Sequence, residues 1–325
     1  MKNLSAASHK KTSHVDIANN SGDKSFQSQQ TPDSWTILLY YKYVAIELPQ
    51  KFAYDHLKLC QELGLKGRIL VADEGINGTV GGPKSVTDEY MKIMKADPRF
   101  SDMQWKISEG SNESFKKMFV RYRKELVTLE IAEKIDPNQD GGKYLQPEEL
   151  KKMYDDQEDF VIIDMRNGYE AEIGRFKNAI TLNMKVFKEL PGIVEKELKQ
   201  FQNKKVVTYC TGGIRCEKAS ALLKKRGFKD VYQLEGGVAK YGQKFPNDYW
   251  EGKLFVFDER MAVPINSPGQ EKVIAKCLHC QKPWDDYINC TNAKCNKLII
   301  LCNDCRISYH DGCSEDCSKK PRAQK

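Results

Sequence analysis

The chain contains no apolar run approaching the roughly 18 residues needed to span a bilayer, and this excludes a membrane-spanning helix. Its first 34 residues lack arginine and lack the apolar stretch of a secretory leader. Rich in Ser, Gln, Asn and Lys, they read as a disordered tail. An excess of one charge is nearly absent too: 52 basic against 45 acidic side chains leave +7. That permits contact with nucleic acid without establishing it. Cysteine is almost missing from the first 276 residues, where only Cys60, Cys210 and Cys216 occur. The other eight crowd into residues 277–317, which suits a metal module plus reactive thiols in a reducing, cytoplasmic setting better than a secreted disulfide framework.

What is present is a globular composition, 40% hydrophobic and 30% charged, over 325 residues, enough for two or three domains. Residues 37–46 are β-branched and aromatic, residues 51–63 have helical spacing, and residues 68–71 and 79–80 read as strands around a turn. Residues 86–94 are again helical and residues 103–107 extended. Strand, helix, strand, strand, helix, strand is the ferredoxin-like split arrangement, expected over residues 35–135. Asp136-Pro137-Asn138 and Gly141-Gly142 then break regular structure. Beyond them, helices over residues 147–153, 194–201 and 216–226 alternate with strands over 160–164, 205–209 and 231–234. This predicts an α/β domain with a mostly parallel sheet over residues 136–260. A small Cys-rich module over residues 261–318 and a basic tail over 319–325 complete the chain.

The strand over residues 205–209 runs into Cys210-Thr211-Gly212-Gly213-Ile214-Arg215, and good helix formers follow from Cys216. Backbone N–H groups and a helix N-terminus can there converge on one point, stabilising a thiolate and an anion beside it. The plainer alternative for Cys210 is a small buried hydrophobe. Cys216 is either a resolving thiol or packing in the first helical turn. Four residues separate Cys210 from Arg215, the count of rhodanese sulfurtransferases; related phosphatase loops have five. Asp164-Met165-Arg166, Glu170 and Gly174 upstream resemble the rhodanese signature, with Asp164 and Arg166 expected to orient each other and the loop. Arg175 stands where many rhodaneses have histidine.

Asp73-Glu74-Gly75-Ile76-Asn77-Gly78-Thr79, the stretch from Cys210 to Ser220, Glu235-Gly236-Gly237 and Val256-Phe257-Asp258-Glu259-Arg260 together resemble the oxygen-dependent tRNA uridine hydroxylases of the rhodanese superfamily. The resemblance implies an acylphosphatase-like domain of ferredoxin fold ahead of the rhodanese domain. It also implies tRNA as partner, molecular oxygen as co-substrate, Cys210 as the residue required to hydroxylate the wobble uridine, and no organic cofactor. A thiolate added to the uracil carbon next to the one hydroxylated makes that neighbour electron-rich, and the alternative is that Cys210 cycles through a persulfide or sulfenic acid. A thiosulfate or persulfide sulfurtransferase is the alternative enzyme, and a zinc-stabilised RNA-binding scaffold the non-enzymatic one.

Residues 115–124 interleave Lys116, Lys117, Arg121, Arg123 and Lys124 with three aromatics and no acid. Such a segment holds phosphates while stacking bases, or is only an amphipathic strand with its basic face in water. Residues 74–78 read as a turn. At the C-terminal end, Cys277 and Cys280, Cys290 and Cys295, Cys302 and Cys305, and Cys313 and Cys317 form four pairs. Two structural four-cysteine zinc sites are the natural reading, against disulfides or metal-free thiols, with His279 and His310 as possible substitutes.

Overall fold

The computed structural model describes residues 34–320. The expected N-terminal tail, Ser34 apart, and residues 321–325 of the basic tail lie outside the described residues.

The N-terminal part runs β1 (Trp35–Tyr43), α1 (Pro49–Glu62), β2 (Lys66–Ala72), β3 (Gly75–Pro83), α2 (Lys84–Ala96), β4 (Trp105–Glu109) and β5 (Met118–Tyr122). Its sheet has the order β4-β1-β3-β2-β5. The first four strands form the ferredoxin-like arrangement, and β5 is added at the edge parallel to β2. Because side chains alternate across a strand, Leu38, Tyr40, Ile69, Val71, Ile76 and Val80 point one way. They bury against Ala53 and Cys60 of α1 and Tyr90 and Met94 of α2. Cys60 is therefore a core thiol, with burial pushing it up to about 12.

Of residues 74–78, expected as a turn, only Glu74 belongs to one. Only Asp73 and Glu74 turn the chain; Gly75 onwards is strand, paired on both sides. Glycine occurs mid-strand because the Tyr40 ring lies across it: a Cβ on Gly78 would fall 2.4 Å from that ring. The helix expected over residues 194–201 forms with altered winding, as a π-helix over Val194–Leu198 and a 3-10 helix over Lys199–Phe201. Val194 and Leu198 are both buried in the core while Glu195, Lys196 and Glu197 between them stay in water, the one-sided burial expected of a helix.

The second part comprises α3 (Pro137–Asp140), β6 (Lys143–Leu145), α4 (Pro147–Asp155), β7 (Val161–Asp164), α5 (Gly168–Ile173), β8 (Gly174–Phe176), β9 (Ile180–Thr181), α6 (Leu190–Ile193), β10 (Lys205–Tyr209), α7 (Ile214–Lys225), β11 (Asp230–Leu234) and α8 (Gly237–Lys244). The sheet β6-β11-β10-β7-β9 is parallel throughout. Its central strand β10 carries Val206, Val207, Thr208 and Tyr209 fully buried, as a strand covered on both faces must. The chain then forms β12 (Trp250–Phe255), which pairs with β8 and with β13 (Ala262–Pro264). A hairpin of β14 (Tyr287–Asn289) and β15 (Leu298–Ile300) follows, with short helices α9 (Asn303–Ser308) and α10 (Glu315–Ser318).

One core runs across the first two parts. Tyr43, Ala72, Leu126 and Val127 share a cluster with Ile163, Met165, Cys210 and Cys216. Lys218 of α7 ties them electrostatically, with Nζ 2.8 Å from both Glu74 and Glu125 and 3.1 Å from the Val127 carbonyl. The helix-free face of the N-terminal sheet is thereby held over the end of β10. No helix among the described residues is long and apolar enough to cross a membrane.

Candidate active site

At the carboxyl end of β10, where open parallel sheets place their ligands, the chain turns through residues 210–213 into α7. Gly213 takes φ +106°, a conformation closed to other residues at little cost, and a Cβ there would lie 2.8 Å from the Tyr41 hydroxyl. Its N–H donates to Cys210 Sγ at 3.2 Å. Behind the loop, the first amides of α8 donate to its carbonyls: Val238 N–H to Cys210 O at 3.0 Å and Ala239 N–H to Thr211 O at 2.9 Å. The Glu235-Gly236-Gly237 segment thus braces the loop.

Burial alone would push the Cys210 thiol up. The Cys216 S–H donated to it, the Arg215 charge and the N–H groups of Arg215 and Gly213 outweigh that and hold it down at about 5. Cys216 moves the opposite way, raised by burial and by the neighbouring Cys210 charge. Of the two thiols, Cys210 is the anion and Cys216 its proton-bearing partner. Because the shift is downward, thiolate persists above pH 5 and is lost below it. Alkylation of Cys210 by iodoacetamide, followed on its own peptide, is expected to be half-maximal near pH 5. It should stay flat above pH ~7, where an ordinary thiol still climbs toward its pKa of about 8.5.

Arg215 does not reach the sulfur directly. Its guanidinium is clamped by Glu170, Nη1 to Oε2 at 2.6 Å and Nη2 to Oε1 at 2.7 Å, with Thr211 Oγ1 at 3.4 Å. Asp164 and Arg166 form a second fully buried pair, at 2.9 and 2.5 Å, that also takes the Tyr209 hydroxyl at 2.7 Å. Arg166 further donates to the Glu170 and Gly174 carbonyls, at 3.1 and 2.6 Å, fixing the helix that presents Glu170. Arg175, in the usual histidine position, only donates to the Ala171 carbonyl at 3.3 Å.

Above the loop lies a cavity of about 280 Å³. Cys210, Thr211, Gly212, Ile214 and Arg215 form its floor; Leu39, Tyr41, Arg68, Leu70, Asn77 and Thr79 of the helix-free sheet face, with Leu126, Val127 and Phe257, form its walls. Tyr41 is pinned by its hydroxyl to the buried Glu217 at 2.8 Å, which also accepts from Tyr144 at 3.0 Å and Gln233 at 3.0 Å. Glu170, Tyr41, Arg68 and Asn77 were not singled out as site residues from sequence. Glu170 and Asn77 stood in recognisable stretches, whereas nothing in the sequence marks Arg68.

The basic segment is an edge strand. Lys116 pairs with Glu259 at 2.9 Å, while Lys117 and Arg121 each lie 4.9 Å from the Phe119 ring centre. Register sets Phe119 beside Arg68 and Arg121 beside Leu70, so these two share the face from which the cavity opens. Arg123 Nη1 donates to the Tyr122 carbonyl at 2.9 Å, and Lys124 is not drawn to Cys210.

None of the eleven cysteines is bridged. The eight C-terminal ones gather crosswise: Cys277, Cys280, Cys302 and Cys305 in one group, and Cys290, Cys295, Cys313 and Cys317 in the other, all sulfurs of a group within 4.8 Å. His279 stacks on Tyr309 instead and bonds to the Gly312 carbonyl at 3.0 Å, and His310 joins neither group.

Three family models match in order: "UPF0176 acylphosphatase like domain" over residues 35–126, "Rhodanese-like domain" over 146–244 and "Rhodanase C-terminal" over 251–318. A tRNA uridine(34) hydroxylase of Bacillus licheniformis is 49% identical over 292 residues, 89% of this chain and 90% of the relative. The chain belongs to the tRNA uridine(34) hydroxylase family. A Staphylococcus aureus hydroxylase of the same name is 48% identical over 291 residues, 89% of this chain and 91% of its own. A solved rhodanese-like domain from Anabaena sp. is 23% identical, covering 36% of this chain and 80% of its own at a TM-score of 0.29. Within this hydroxylase family member, the acylphosphatase-like sheet and the rhodanese loop enclose one cavity with a thiolate at its floor.

Proposed function

We propose that this chain hydroxylates C5 of uridine 34 in tRNA, in the cytoplasm, with molecular oxygen as oxidant and Cys210 as nucleophile. The observation that carries this reading is an anionic sulfur at the floor of a cavity a little smaller than the ~300–1,000 Å³ of sites that hold whole small molecules. That is room for one flipped base. An anticodon loop supplies such a base at little unstacking cost. The thiolate adds to C6, electron density collects at C5, and C5 takes one oxygen atom. Loss of the C5 proton then expels the sulfur and restores the double bond. The second oxygen atom leaves as water, with two protons and two electrons supplied by an external thiol reductant. Lys117, Arg121, Arg123 and Lys124 give the adjoining strand a positive edge for the flanking phosphates, and Lys116 joins them when Glu259 releases it. Nucleoside mass spectrometry of tRNA from cells lacking this gene, with and without the wild-type gene restored, tests the reading. Hydroxylated uridine unchanged by the deletion would end it.

The loop's rhodanese length favours sulfur transfer as the second reading. Thiosulfate and cyanide turned over to thiocyanate at a rate above tRNA hydroxylation would put it first.

Two zinc ions suit the crosswise cysteine groups. Tetrahedral Zn–S bonds of about 2.3 Å require sulfurs roughly 3.8 Å apart; Cys280 and Cys302 lie 3.5 Å apart, and Cys295 and Cys313 3.7 Å apart. Backbone N–H groups of Cys302 and Cys313 point at Cys277 and Cys290 Sγ, both at 3.4 Å, as thiolate ligands require. Four sulfurs leave no open position, so the metal's contribution is structural. The module also supports the site: Tyr287 bonds to the Tyr169 carbonyl, and Tyr287 and Ile300 pack with Ile173, on the helix bearing Glu170. Elemental analysis is expected to find two zinc ions per chain. Stripping them with a chelator should unfold residues 277–317, since structural zinc contributes about 10–16 kcal/mol of apparent binding free energy. It should also raise the Cys210 alkylation midpoint.

A further inference from the structure

The cavity above Cys210 has mostly apolar walls, and two of its polar side chains are left without a use. Asn77 sits on the central strand β3, in register with Tyr41 on one side and Leu70 on the other, and is half-buried. Among the described residues its carboxamide makes no hydrogen bond. Arg68, one strand over and in register with Thr79, lines the same cavity and has no carboxylate partner among the described residues. The nearby buried arginines, Arg166 and Arg215, are both fully engaged. A carboxamide and a guanidinium left open toward a reactive sulfur are groups waiting for a ligand's polar edge.

We propose that Asn77 and Arg68 read the Watson–Crick edge of the target base and select uracil over cytosine; the proposal rests on the uridine reading above. Uracil presents an acceptor, a donor and an acceptor: O2, N3–H and O4. The Asn77 amide oxygen accepts from N3–H while its NH₂ donates to a flanking carbonyl. A carboxamide turned over serves cytosine equally well, accepting from its N4 amino group and donating to its unprotonated N3. Asn77 therefore orients a pyrimidine without choosing between the two. Arg68 makes the choice, because a guanidinium only donates. It pairs with the O4 acceptor of uracil and meets two hydrogens on the N4 of cytosine, an arrangement with nothing to accept. Tyr41 and Phe257, on the same cavity walls, supply aromatic surface for the ring. C6 of either pyrimidine accepts a thiolate, so selection has to reside in the edge contacts.

The test uses the full chain and tRNA transcripts differing only in U34 or C34. Wild-type protein is expected to hydroxylate U34 over C34 by on the order of 100-fold in kcat/KM. Asn77→Ser should lower kcat/KM on U34 by about 10- to 100-fold, with Cys210 alkylation at neutral pH unchanged, showing the loop intact. Arg68→Glu exchanges a donor for an acceptor at an exposed position whose side chain the fold does not need. It should reduce U34 turnover and raise C34 turnover, narrowing the preference at least ~10-fold; a merely structural role would lower both together. Wild-type activity on U34 with both variants keeping the wild-type preference and rate overturns the proposal. Absence of U34 hydroxylation by wild-type protein overturns the uridine reading, and this one with it.

Discussion

Cys210→Ser protein is expected to bind tRNA as tightly as wild type and to leave uridine 34 unmodified, with hydroxylation falling at least ~10⁴-fold, the scale on which enzymes lose rate with their nucleophile. The substitution trims the side chain only slightly and keeps a group that can hydrogen-bond. What it removes is the anion. The loop stabilises negative charge through the Gly213 and Arg215 amides, the Cys216 thiol and the Arg215 charge, bringing a thiol to about 5. The same field applied to an aliphatic hydroxyl, a far weaker acid, leaves it protonated at neutral pH. Sulfur is also the better leaving group when the C5=C6 double bond re-forms. Filter binding and nucleoside mass spectrometry on one tRNA preparation separate the two expectations, and hydroxylation at even a hundredth of the wild-type rate would remove Cys210 from the chemistry.

Among single substitutions, Glu170→Gln has the second largest expected effect, and it falls on stability. Glu170 is wholly buried, and both its oxygens are committed to Arg215. One of them also accepts the Asn167 N–H at 3.1 Å, closing the cap of α5. Neutralising the carboxylate leaves a buried guanidinium without its counter-charge, a loss of about 3–5 kcal/mol, or a fall in Tm on the order of 10 °C. Removing both partners should cost less than removing either, because the desolvated charge goes with them. A double-mutant cycle with Arg215→Gln, read by urea denaturation, checks this: additive losses would mean that the pair is not coupled.

Much of the architecture was legible from local pattern. The strand ending at Tyr209 and the helix following the glycine loop are where β-branched residues give way to Gly-Gly and then to helix formers. The ferredoxin-like order of the N-terminal sheet followed from the alternation of strand and helix periods. Where reading failed, a long-range contact had replaced the local rule. Gly78 of β3 imitates a turn residue because the Tyr40 ring occupies the space that its side chain would fill. Residues 194–201 keep the helical face that their pattern predicts, with Val194 and Leu198 buried together, although the winding is π and then 3-10.

Chain order by itself determined that a cysteine meets a helix N-terminus after a buried strand, and that eight thiols crowd one end, since both depend on neighbours in sequence. Tertiary structure alone decided three things: which four cysteines share a group, that Arg215 turns to Glu170 and not to the sulfur, and that Asn77 and Arg68 face Cys210 from more than 130 residues away. Each is a meeting of segments distant along the chain. Such meetings are settled by which faces must be buried against each other, and the hydrophobic periodicity of a single segment carries no record of its partner.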